Sequence, residues 1–215
     1  TPEELHAFMS VYPKALAAKN KEAAWVSKIS VNSGTYHGGK MQPDGTLAPV
    51  NVDYSVLKTI TTLCQNDYHM AGAVQHGAST LRGEQLAQMP DNGAVEVHLA
   101  LGFNNLIFDH PSLPKSFSED IKNFTFTHHA HERGANENDT QFLYNVRKKA
   151  WKIMKEKFWN LPEPIQNDVM NSLQKMFHDM FVWLKIENTV DLVARYTEAP
   201  IIYPPAPEAL KRHLS

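Results

Sequence analysis

The sequence predicts an α/β protein in which parallel βα units are followed by a helical extension. Three observations carry that prediction. Helical and strand patterns alternate from residue 1 to about 112, long amphipathic helical patterns dominate the stretch that follows up to a Pro-rich tail, and the composition is that of a packed domain. The 215 residues are 42% hydrophobic and 20% charged, with a formal net charge of −2, so no concentrated positive surface is available for nucleic acid or an anionic membrane. No apolar run approaches the ~20 residues that span a bilayer.

Residues 3–18 read as a helix, with Pro13 as a possible interruption. Thr1, Pro2 and Glu4 have the residue types of an N-cap, a first helical position and a capping box. AWVSKISV (24–31) is a short strand bounded by Gly34. Residues 52–66 place Val52, Val56, Leu57, Ile60 and Cys64 on one helical face. Strands then follow at 71–76 and 94–101, with a connecting helix at 79–89 between them. Residues 142–161 and 164–186 form long amphipathic helices whose aromatic and Met stripes are core or interface, and the end, APIIYPPAPEAL, is an extended Pro-rich tail. Three parallel strands are too few to close on themselves, so the alternating part reads as incomplete.

Cys64 is the lone cysteine, which excludes an internal disulfide and fits a reducing, cytoplasmic setting; it reads as a buried thiol. Among the 11 histidines, three fall at strand ends. His37 follows the first strand within GTYHGGK, His76 ends the second and precedes Gly77-Ala78-Ser79, and His98 lies in the third towards its carboxyl end. Parallel strands bring such positions to one rim, and neutral imidazoles suit zinc or a similar divalent ion. Gly38, Gly39 and Gly77 permit positive φ and an anion-binding nest, and Ser79 at the head of a helix adds a hydroxyl. THHAH at 127–131 reads as a solvated loop, and His6, His69, His110, His178 and His213 as structural.

ISVNSGTYHGG, VQHGASTL and VEVHLALGFNN, with spacings of 39 residues from His37 to His76 and 22 from His76 to His98, resemble in order the last three strand ends of class II, metal-dependent fructose-bisphosphate aldolases. The resemblance covers residues 1–112 and extends, through the helices, to about residue 160. It implies the C-terminal part of a (β/α)8 barrel (1–112, the last three βα units) and a helical extension (113–215). His37 and His76 fall on two of the family's zinc-binding histidines. Gly38, Gly77 and Ser79 fall where its loops hold the phosphate of dihydroxyacetone phosphate and a monovalent cation. His98, Ala100 and Leu101 replace the Asn, Asp and Thr that contact the same substrate, leaving the backbone N–H of Leu101 for phosphate.

The resemblance further implies reversible retro-aldol cleavage of a ketose bisphosphate such as fructose 1,6-bisphosphate, by a homodimer or higher homo-oligomer. The third histidine ligand and the general base belong to the N-terminal half of such a barrel, upstream of Thr1. The chain therefore reads as a fragment, with weak metal binding and negligible activity on its own. No lysine reads as a Schiff-base former, Lys28 lying within the first strand. Two other readings stand beside this one. The first is a zinc-dependent barrel hydrolase with His37, His76 and His98 as ligands; the second is a non-catalytic interaction fragment built on the long helices.

Overall fold

The computed structural model describes residues 1–19, 26–36, 38–81, 83–198, 200–202 and 204–205. It separates into two compact units, Thr1–Lys185 and Ile186–Ser215. The division expected near residue 112 falls inside the first.

In the first unit, α1 (Pro2–Ala18) opens on the expected capping box, Thr1 with Glu4, and runs through Pro13. It is followed by β1 (Lys28–Val31), α2 (Tyr54–Tyr68), β2 (Gly72–Gln75), α3 (Gly83–Asp91) and β3 (Ala94–Val97). The strands form one parallel sheet in the order β1-β2-β3. Residues 24 and 25, expected at the start of the first strand, lie outside the described residues.

Alternation along the strands sorts side chains between two faces. Ile29, Val31, Ala73, Ala94 and Val97 join Leu57, Ile60 and Cys64 of α2 and Leu86 and Met89 of α3 in one apolar core. Cys64 is fully buried and burial raises its thiol pKa, so it behaves as a small hydrophobe. Thr61 ties the layers together: its hydroxyl accepts from the Ala73 N–H at 2.8 Å and donates to the Gly93 carbonyl at 2.7 Å. On the opposite face Lys28 of β1 pairs with Glu96 of β3 across the central strand, where Val74 lies in register between Ser30 and Glu96.

The rest of the first unit is helical: α4 (Leu101–Phe108), α5 (Lys115–His128), α6 (Asp139–Val146), α7 (Trp151–Trp159) and α8 (Glu163–Trp183). Phe108, Phe117, Ile121, Ala150, Met154 and Leu161 form its second core. The pattern at 142–161 is divided by a 3-10 segment, Arg147–Ala150, and 127–131 is not a loop: His128 ends α5 and Ala130–Glu132 form a 3-10 turn. In the second unit α9 covers Val190–Tyr196. No described helix is long and apolar enough to cross a membrane.

The expectation of a (β/α)8 barrel portion is overturned. Helix makes up 61% of the structure, and the sheet has three strands of four residues each, with β1 and β3 as open edges among the described residues. A barrel needs strands tilted and staggered until the ladder closes. Helix-strand alternation specifies one βα unit at a time, and that unit serves any parallel sheet.

Candidate functional site at the strand ends

The loop after β1 is fastened to the end of β2. Gln75 is fully buried, and its side-chain Oε1 accepts from Ser33 Oγ at 2.6 Å. Its amide donates to Thr35 Oγ1 at 2.8 Å and to the His76 carbonyl at 2.5 Å, while Thr35 Oγ1 donates to that carbonyl at 2.7 Å. Each polar atom buried here is thus paired.

The same loop is held from the far side by α6. Tyr144 Oη donates to the Gly38 carbonyl at 2.6 Å, Gln141 Nε2 to that of Met41 at 3.0 Å, and Asn138 Nδ2 to that of Pro43 at 2.7 Å. Donors spaced three residues apart lie on one helical face, so a single face of α6 templates residues 38–43. Asn105 extends the network: its Nδ2 donates to Tyr144 Oη at 3.0 Å, and its Oδ1 accepts from Arg147. Arg147 also makes a bidentate pair with Asp109, at 2.6 and 2.7 Å. It is a fastening of α4 to the 3-10 segment.

Against this framework lies a cavity of about 550 Å³ lined by Gly38, His76, Gly77, Ser79, His98, Ala100 and Leu101. Seven of the eight residues to which the family resemblance gives a role therefore share one space. His37, the eighth, lies outside the described residues. Gly38 and Gly77 adopt φ of 86° and 73°, the left-handed region that favours glycine. Two expectations are corrected. β3 ends at Val97, so His98 sits just past the strand, its N–H making a 2.8 Å bond to the Gln75 carbonyl. Ser79 heads no α-helix, only the 3-10 turn Ala78–Thr80, because α3 starts at Gly83. The helix N-terminus at the cavity is that of α4, with Ala100 at its N-cap; the N–H groups of Leu101 and Gly102 precede the first intrahelical bond, which Phe103 makes to the Ala100 carbonyl at 3.2 Å.

The electrostatics rest on residues that sequence reasoning passed over. Glu96 Oε1 accepts from His98 Nε2 and Oε2 from Lys28. Those bonds, Lys28's foremost, hold the Glu96 carboxyl below its ordinary range, so it is an anion at neutral pH. A carboxylate only accepts, so the bond between His98 and Glu96 is donated from His98 Nε2. Asn104, held by Trp151 Nε1 at 3.0 Å, and Lys148 also line the cavity. Lys148 makes no ion pair with a described residue. Only its position one residue from Arg147, at a break in the helical pattern, could have drawn attention to it.

His76 and His98 stack with ring centroids 4.2 Å apart and planes at 29°. Two imidazoles sharing one tetrahedral ion hold their centroids about 5 Å apart with lone pairs converging, from zinc–nitrogen distances of about 2.0–2.1 Å. Stacked rings do not aim at one ion, so this geometry fits one ligand and one substrate-facing ring rather than two ligands. As a donor set for zinc, the described rim supplies His76, with His37 as the second histidine by sequence. Comparison of the chain with protein-family models, curated proteins and solved structures returns no match.

Proposed function

We propose that this rim binds a phosphorylated ketose beside a divalent metal ion, zinc by its donors, and takes part in reversible retro-aldol cleavage of the class II aldolase type. The carrying observation is that His76, Gly38, Gly77, Ser79 and His98, from three separate strand ends, line one cavity together with Lys148. His76, with His37, would hold the metal, whose chemistry when bound is to polarise a carbonyl. The N–H groups at Gly38 and Gly77, the Ser79 hydroxyl, the first turn of α4 and Lys148 would neutralise and orient a phosphate. A monovalent cation beside that phosphate belongs to the same proposal. His98, aligned by Glu96, faces the substrate. The three-histidine hydrolase is the weaker reading, since His76 and His98 are stacked.

A homo-oligomer and a cytoplasmic setting remain part of the proposal. Supporting the first, Met170, Phe177 and Phe181 stay exposed at helical spacing along α8. Titration calorimetry of dihydroxyacetone phosphate into the chain, with and without zinc, tests the site. Zinc should tighten binding at least tenfold, and His76→Ala should remove that gain while leaving weak phosphate binding in place. Binding indifferent to both zinc and His76→Ala would contradict the proposal.

A further inference from the structure

A group of side chains of metal-ligating type, His129, His131 and Glu132, lies at the end of α5. His129 caps the 3-10 turn Ala130–Glu132, and with three residues per turn His129 and Glu132 fall on the same side. His129 Nδ1 is 2.8 Å from Glu132 Oε1, and His131 Nε2 is 3.7 Å from the same oxygen. One donor atom from each of the three residues lies within 4.8 Å of the others. Donors around a tetrahedral zinc stand about 3.4 Å apart, given ligand distances near 2.0–2.2 Å, so these spacings bracket what an ion needs. The His129 and His131 rings are tilted, with centroids 6.1 Å apart, and are not stacked as the rim pair is. His129 is 21% and Glu132 30% exposed, whereas His131 is 75% exposed, leaving an open side for an ion to enter.

Lys149 now occupies the carboxylate, its Nζ donating to both Glu132 oxygens at 2.6 and 2.5 Å. An ion at this site must displace that ammonium from at least one oxygen. We infer that His129, His131 and Glu132 form a second divalent transition-metal site, separate from the rim, whose affinity is held down by competition from Lys149. Two imidazoles and one carboxylate select zinc, nickel or copper over magnesium or calcium.

Zinc binding to the untagged full chain, followed by equilibrium dialysis with elemental analysis, tests this. In a His37→Ala/His76→Ala variant, which lacks the rim histidines, one zinc per chain should remain, undisplaced by millimolar magnesium. His129→Ala or His131→Ala in that background should weaken it at least tenfold, with circular dichroism confirming the fold. Lys149→Met should tighten it severalfold. Loss of all zinc from the rim variant, or zinc binding there unchanged by both His129→Ala and His131→Ala, would overturn the site. An unchanged affinity in Lys149→Met would overturn the competition.

Discussion

Gly77→Ala should destabilise the chain by about 2–4 kcal/mol and abolish phosphate binding at the rim. Two costs add. Gly77 has φ of 73°, where a non-glycine residue pays roughly 1–2 kcal/mol. A Cβ there would also stand 2.9 Å from the carbonyl carbon and oxygen of Tyr36, and backbone cannot step aside as a side chain does. Gly38→Ala is the informative comparison. Its φ of 86° carries the same strain, but the Cβ would meet Leu101 Cδ2, the end of a flexible side chain. It should therefore cost only about 1–2 kcal/mol. Urea unfolding of the two variants separates the backbone clash from the conformational strain, and equal losses would refute the assignment of the Tyr36 contact.

Phe142→Ala should cost about 3–5 kcal/mol, the range for emptying a large buried aromatic site. Phe142 is fully buried and meets the Phe126 ring edge to face at 5.2 Å. Its effect reaches beyond the helical core, because α6 also carries Asn138, Gln141 and Tyr144, which hold the backbone from Gly38 to Pro43. Unseating α6 should loosen that loop, so weaker phosphate binding is expected along with the lower urea midpoint. Tyr144→Phe isolates the second effect: it removes the bond to the Gly38 carbonyl and the one from Asn105, each worth about 1 kcal/mol, while leaving the core filled. A Tyr144→Phe variant with unaltered phosphate affinity would show that α6 does not template the loop.

Much of the rim was legible because its signals are local. A strand followed by His-Gly says where a backbone turns and what side chain stands at the turn, and Gly38, His76, Gly77 and Ser79 meet accordingly. The end of β3 was less legible. VEVHLAL keeps its apolar-polar alternation past the strand, yet the Ala100 carbonyl already accepts from Phe103 and Asn104, so the chain turns helical where the period still reads as two. The barrel was misread for a related reason: closure depends on strand number and stagger, which no single βα unit records. Glu96 and Tyr144 were missed because their roles come from partners far along the chain, and Lys148 because only the fold brings it to the cavity. Glu96 meets Lys28 across a strand, and Tyr144 reaches the carbonyl of Gly38, with no periodic pattern to announce either pairing.

We propose above that the carboxyl ends of these strands hold a metal beside a phosphate. Anomalous diffraction at the zinc edge, from crystals grown with zinc and inorganic phosphate, addresses it directly. A zinc peak is expected about 2.0–2.1 Å from a ring nitrogen of His76, with a tetrahedral anion against Gly38, Gly77 and Ser79. His76 still stacked on His98, with neither zinc nor anion in the cavity, would contradict it.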